Sequence, residues 1–199
     1  MAVAAGVGLG LLDLLAQRTL PYPWANLANS SAVWAVGAFG IGSWVRTGRW
    51  RPAIAGVVLL LIAVESYYLA SMLVQHDDLA NLWATSTLLW LVFGVLAGTL
   101  FGTAGAWAGG PHRWRATVGV ALPGAVLLAE AGVLAYRSGT VDAVYRTDSR
   151  QTAAIEAALG IGLTLLVGRN WWQRLAALAV SVLLAAAGFG AFLLAGYGR

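Results

Sequence analysis

Four carboxylate side chains lie inside stretches of the chain that are otherwise apolar enough to cross a membrane: Asp13, Glu65, Glu130 and Glu156. An ionisable group at the centre of a membrane helix costs roughly 3 kcal/mol or more, so such groups usually serve a function. A carboxyl group that an apolar site keeps neutral can donate a proton. We therefore expect one polar site, shared among several helices, that performs acid–base chemistry or binds a polar group.

The composition indicates an integral membrane protein with a single helical domain over residues 1–199. The chain is 60% hydrophobic and 10% charged, whereas a soluble domain carries about 25% charged residues. The N-terminal apolar run lacks a basic segment and contains Asp13, so we interpret it as a retained first span. The absence of cysteine excludes disulfides, Cys-ligated zinc and thiol catalysis.

A helix needs about 20 apolar residues to cross a bilayer, and breaks at Arg, Pro and Gly clusters divide the chain into seven predicted spans. The predicted fold is therefore an all-α, polytopic transmembrane helical bundle. The sixth span is the shortest, and the loop before it, residues 137–151, is the longest. The predicted spans are residues 3–20, 25–44, 52–73, 82–107, 116–136, 152–167 and 175–196.

Three connections pair arginine with tryptophan, the residues that anchor helices at membrane interfaces. They are residues 46–51, 112–115 and 169–174, which follow the second, fourth and sixth spans and therefore lie on one side. These connections hold seven arginines, against five on the opposite side. The positive-inside rule then places the N-terminus in the cytoplasm of a bacterial cell. Because the net charge of +4 resides in these short loops, we expect no nucleic-acid partner.

The depth of each carboxylate can be counted from the start of its span. Glu65 lies thirteen residues after Pro52, about 20 Å from the cytoplasmic end, and Glu130 lies at nearly the same level. Asp13 is past the middle of the first span, and Glu156 is just inside the outer end of the sixth. All four are therefore predicted in the outer half of the bilayer, in one enclosure.

The first span presents its polar residues on one face. Gly6, Gly10, Asp13 and Gln17 follow a spacing of three and four residues, which aligns them along a helix. Small residues allow another helix to approach closely. We expect Asp13 to point into the bundle, with Gln17 beside it.

Each carboxylate also has a purely structural interpretation, because charges in membranes usually pair. Glu130 could pair with Arg137, and Asp13 with Arg18. Glu156 could be a carboxylate near a helix N-terminus, where the macrodipole favours negative charge.

Glu65 has no basic residue nearby on its own helix, and we expect it to act as a proton donor. Tyr67 and Tyr68 flank it, and aromatic faces stabilise cations. Such a pocket could cyclise an isoprenoid by protonation, although interfacial anchoring and packing also explain the many aromatic residues. The predicted substrate-binding residues are Tyr67, Tyr68, Trp34, Trp83, Trp90, Asn29 and Gln17.

The loop after the third span contains the pair Asp77 and Asp78, followed by Asn81. This pattern is similar to the magnesium motif of prenyl-diphosphate enzymes, but a helix cap at Asp78 explains it equally well. No phosphate-binding glycine loop, zinc motif or nucleophile elbow occurs. We therefore expect no metal and no cofactor.

The chain resembles a family of small actinobacterial multi-span proteins of unknown function, through residues 20–31 leading to Trp34, through 65–68 and through 129–131. The segment 62–68, Ile-Ala-Val-Glu-Ser-Tyr-Tyr, also resembles the acid-bearing helix of seven-span membrane cyclases that close meroterpenoids and indole sesquiterpenes. That second resemblance implies that Glu65 is the catalytic acid, with Glu130 or Asp13 as a second carboxylate.

Three functions remain open. The first is a membrane cyclase in which Glu65 protonates an alkene or epoxide of a lipophilic substrate. The second is a substrate-capture subunit of a small-molecule transporter, with an outward-facing polar pocket. The third is a scaffold without a ligand site, which predicts that the carboxylates are ion-paired and enclose no cavity. Membrane lipid is an expected partner in all three, and the sequence leaves open whether a soluble protein binds the Arg/Trp loops.

Overall fold

The computed structural model describes residues 1–76 and 78–194, and the regular structure of this part is entirely helical. This confirms the predicted all-α class. A 3-10 helix, Leu79–Trp83, lies between the fourth and fifth α-helices. The α-helices are α1 (Ala2–Thr19), α2 (Trp24–Ala28), α3 (Ser31–Val45), α4 (Arg51–Gln75), α5 (Thr85–Ala108), α6 (Arg113–Arg137), α7 (Ala143–Val167) and α8 (Trp171–Leu194).

Five helices, α4 to α8, are long and apolar enough to cross a bilayer. They correspond to the predicted third to seventh spans. The predicted first span coincides with α1, which has 18 residues. The predicted second span contains α3, a shorter apolar helix of 15 residues.

The predicted second span, residues 25–44, is divided in the structure. α2 ends at Ala28, and α3 begins after Ser30, whose Oγ accepts a hydrogen bond from the backbone N–H of Val33 at 3.3 Å. A serine at this N-cap position satisfies an N–H group that the first helical turn leaves without a partner. A new helix therefore starts where hydropathy predicts a continuous one.

The predicted sixth span is too short. α7 has 25 residues and begins at Ala143 rather than at residue 152, so the preceding connection is only residues 138–142. The first turns of α7 carry several polar and charged residues. These lower the hydropathy of the segment, but they do not prevent a helix, since tertiary packing supplies most helical stability.

The connection between α4 and α5 contains the candidate metal motif. Asp78 caps the 3-10 helix, because its Oδ1 accepts a hydrogen bond from the N–H of Ala80 at 2.9 Å. Asp77 lies outside the described residues. Within the described ranges, no cluster of three or more His, Cys, Asp or Glu side chains could hold a metal ion.

Helices α1 and α4 run parallel to each other and in close contact. Gly6 of α1 lies against Leu59 of α4, and Gly10 lies against Ala63 one turn further along both helices. A Cβ atom at Gly10 would collide with the carbonyl oxygen of Ala63. The glycine face predicted for the first span is therefore the surface that packs on α4, and Asp13 lies at its end.

α3 and α5 pack most tightly toward their C-terminal ends. Gly42 and Gly102 meet backbone to backbone, and Gly105 lies against the carbonyl oxygen of Phe39. In the N-terminal halves of these helices, Trp34 of α3 and Trp90 and Phe93 of α5 line a cavity.

Candidate ligand cavity and the buried carboxyl groups

A cavity with a volume of about 350 Å³ lies between α1, α4 and the N-terminal halves of α3 and α5. Ligand pockets in proteins typically range from about 300 to 1,000 Å³. Six of the ten residues predicted for the site line this cavity: Asp13, Asn29, Trp34, Tyr67, Tyr68 and Trp90. Ser31, Phe93 and small aliphatic residues complete its wall.

Asp13 is the carboxyl group among the described residues that line the cavity, and only 6% of its surface is exposed. Its Oδ1 accepts a hydrogen bond from the Gln17 side-chain amide at 3.1 Å, one turn further along α1. The indole of Trp34 also lies beside the Asp13 carboxyl. Asp13 does not pair with Arg18, which instead donates to the carbonyl oxygen of Val74 at 3.2 Å.

Aromatic rings surround the space next to Asp13. Trp34 meets Tyr67 edge to face with ring centroids 6.5 Å apart, and Tyr67 meets Tyr68 at 5.5 Å. Trp90 and Phe93 form a further edge-to-face pair at 6.0 Å on the α5 wall. The cavity therefore combines one buried acid with several aromatic rings, whose faces attract cations.

Four predicted site residues do not line the cavity: Glu65, Trp83, Gln17 and Glu130. Glu65 does not line it and is half-buried. It lies on the same outward face of α4 as Ile54 and Leu69, whose side chains are 58% and 44% exposed. Its neighbour Val64 faces the cavity instead, because each helical residue is rotated by about 100° from the one before it. Trp83, in the 3-10 helix, is 77% exposed.

Glu130 of α6 binds the N-terminus of α3. Its Oε2 accepts hydrogen bonds from the Ser31 hydroxyl and from the Ala32 backbone N–H, both at 2.8 Å. A carboxylate at this position satisfies a free backbone donor and interacts favourably with the helix dipole. Glu130 does not pair with Arg137, whose guanidinium lies 4.8 Å from the ring centroid of Phe192. Because Ser31 also lines the cavity, Glu130 is one hydrogen bond away from it.

Glu156 of α7 is fully buried, with 0% exposure, and neither carboxylate oxygen has a hydrogen-bond partner among the described residues. It is not a carboxylate of the first helical turn, because α7 begins thirteen residues earlier, at Ala143. The Glu130 carboxylate is near enough to repel a charge on Glu156, and the Ser30 hydroxyl also lies close to it. The sequence predicts Glu156 in one enclosure with the other three carboxylates, but it does not single out Glu156 as a site residue. A signal was present, since Thr152, Glu156, Gly160 and Thr164 recur every four residues along the buried face of α7.

A second, apolar groove lies on the other side of α3, between α2, α6 and α7. It has a volume of about 540 Å³, and its lining includes Leu127, Leu159 and Leu163. No charged side chain lines this groove among the described residues. It is typical of a surface that contacts lipid chains.

The fold and the cavity define a class: an all-α protein with five helices long and apolar enough to cross a membrane, whose bundle contains an aromatic cavity with one buried carboxyl group. The chain belongs to DUF6518, a family of unknown function, which matches residues 1–196. No curated protein and no solved structure is detectably similar to it.

Proposed function

We propose that this protein is a membrane-embedded enzyme that binds a lipophilic isoprenoid in the cavity and starts its cyclisation by protonation. The observation that carries the proposal is the burial of Asp13 in a cavity walled by aromatic rings. Asp13 takes the role of acid that the sequence predicts for Glu65, because Glu65 lies outside the cavity. No metal or cofactor is part of the proposal.

In the proposed reaction, the Asp13 carboxyl gives its proton to a terminal alkene or epoxide of the substrate. An O–H bond of Asp13 breaks, a C–H or O–H bond forms on the substrate, and the substrate becomes a cation. Trp34 and Tyr67 stabilise that cation through their ring faces, while an internal alkene attacks it and closes the ring. Loss of a proton from the cyclised cation ends the reaction and restores the Asp13 carboxyl.

A substrate-capture subunit of a transporter is the second candidate. The observation that favours it is the group of polar side chains at one end of the cavity, where Asn29 and Ser31 are both exposed. In that role the Asp13–Gln17 pair would bind a polar group of the ligand, and the ligand would leave unchanged.

Purified protein in lipid nanodiscs, incubated with farnesol or its terminal epoxide, tests the proposal. We expect a cyclic product that disappears in Asp13→Asn and persists in Glu65→Gln, the matched control outside the cavity. Binding of the probe without conversion would favour the capture subunit. Undiminished product from Asp13→Asn would contradict the assignment of the acid.

The proposed setting is the bacterial plasma membrane, crossed seven times with the N-terminus in the cytoplasm. The parallel packing of α1 along α4, and of α3 along α5, supports counting α1 and α3 as spans. Because the chain has no cysteine, single cysteines can be introduced without a background signal. In intact cells an impermeant maleimide should label Thr140→Cys and spare Thr47→Cys. The reverse pattern would contradict the orientation.

A further inference from the structure

Glu156 is a buried carboxyl group for which the proposed reaction has no use. Its side chain has 0% exposure, and the Glu130 carboxylate of α6 and the Ser30 hydroxyl at the start of α3 lie near it. Its two oxygens are the buried side-chain polar atoms that lack a hydrogen-bond partner among the described residues. A charged carboxylate in such surroundings is very unfavourable unless a cation or hydrogen-bond donors compensate it. A proton on Glu156 removes that charge and its cost.

No positively charged group lies against Glu156 in the part of the chain that the structure describes. α6 presents the Glu130 carboxylate and the start of α3 presents the Ser30 hydroxyl. Further out on α7, Thr152 bonds to the Asn26 side chain of α2 at 3.4 Å, and Arg150 donates to Ser138 at 3.3 Å. Two like charges in one buried place repel each other strongly, and the usual solution is that the pair keeps one proton.

We propose that Glu130 and Glu156 form a proton-binding site that holds one proton, carried by Glu156. Glu130 is the charged member, because Ser31 and the Ala32 N–H both donate to it. Glu156, which receives no such donor, is the neutral member. The occupant of this site is a proton rather than a metal ion.

Infrared spectroscopy of the ligand-free protein in nanodiscs tests the site directly. Using Glu65→Gln as the background leaves Glu130 and Glu156 as the only glutamates. In addition to the band of Asp13, we expect the carbonyl band of one protonated glutamic acid per chain, which shifts in D₂O and disappears in Glu156→Gln. The matched control is Asp142→Asn, at an exposed position before the same helix where the side chain makes no capping bond. Its spectrum should keep the band.

Glutamate labelled with ¹³C at the side-chain carboxyl tests the assignment without altering Glu156. The band should move to lower frequency in the labelled protein, even if Glu156→Gln does not fold. Absence of a label-sensitive band would overturn the proposal. A melting temperature that rises in sodium but not in choline, and only when Glu156 is present, would also overturn it by identifying a sodium ion as the occupant.

The hydrogen bond from Ser31 has its own measurement. Ser31→Ala removes the hydroxyl that donates to Glu130, so the carboxylate band of Glu130 should shift while the protonated band of Glu156 persists. If the Glu130 band does not move, the donors at the start of α3 do not fix the charge on Glu130, and the assignment of the proton to Glu156 fails. The proton site does not rest on the proposed function: if the bands behave as expected but no lipophile binds, the proposed function fails and the proton site stands.

Discussion

Replacing Glu130 with alanine should destabilise the bundle by about 2–4 kcal/mol. The variant loses two hydrogen bonds to a charged acceptor, each 2.8 Å long, and such bonds contribute about 1.5–3 kcal/mol each. The Ser31 hydroxyl is exposed and regains solvent partners, which reduces its share. Ala32, in contrast, is fully buried, so its N–H would remain unsatisfied at a cost of about 1–3 kcal/mol.

Thermal unfolding in detergent, followed by circular dichroism, measures this loss. For a chain of this length, 1 kcal/mol corresponds to about 2–4 °C, so the melting temperature of Glu130→Ala should fall by roughly 5–15 °C. Glu130→Gln keeps one neutral acceptor and should lose about half as much. A melting temperature equal to that of the unmodified protein would refute the account. A second contradicting result would be an equal fall in the melting temperature of Arg137→Ala, with no further fall when both substitutions are combined. That result would indicate an ion pair between Glu130 and Arg137.

Two further predictions follow from the packing of α1 and from the cavity wall. Gly10→Ala should cost about 1–3 kcal/mol in the same unfolding assay, because its new methyl group collides with the Ala63 carbonyl and overpacks the interface. Gly8→Ala, which meets open space, should be neutral or stabilise by up to about 1 kcal/mol through helix propensity, and equal losses in both variants would contradict the packing. Tyr67→Ala should weaken binding of the farnesol probe roughly tenfold, since one edge-to-face aromatic partner contributes about 0.5–1.5 kcal/mol beyond its buried area. Trp83→Ala should leave the affinity unchanged, because Trp83 is 77% exposed.

Local spacing was enough to predict the Asp13 side of the site. The four-residue interval between Asp13 and Gln17 places both on one helical face, and the structure has them hydrogen-bonded at 3.1 Å. Glu65 illustrates the limit of that reasoning. Hydropathy indicates that a residue lies in a span, but not which way it points, and a displacement of one position separates Glu65 from the cavity-facing Val64.

The roles of Glu130 and Glu156 depend on contacts that spacing within one helix does not reveal. The partners of Glu130 lie about a hundred residues earlier in the chain, at the start of α3. That start exists because Ser30 begins a new helix inside a stretch whose hydropathy predicts one continuous span. Once the break is in place, Glu130 and Glu156 converge on it from two other helices.

The central claim is that the cavity between α1, α3, α4 and α5 binds a lipophilic molecule beside Asp13. Photolabelling with a diazirine derivative of farnesol, followed by peptide mapping, tests it most directly. The account predicts that label on Trp34 and Tyr67 saturates and is displaced by excess farnesol. Label that does not saturate, and that lies only on the exposed surface of α8, would contradict it.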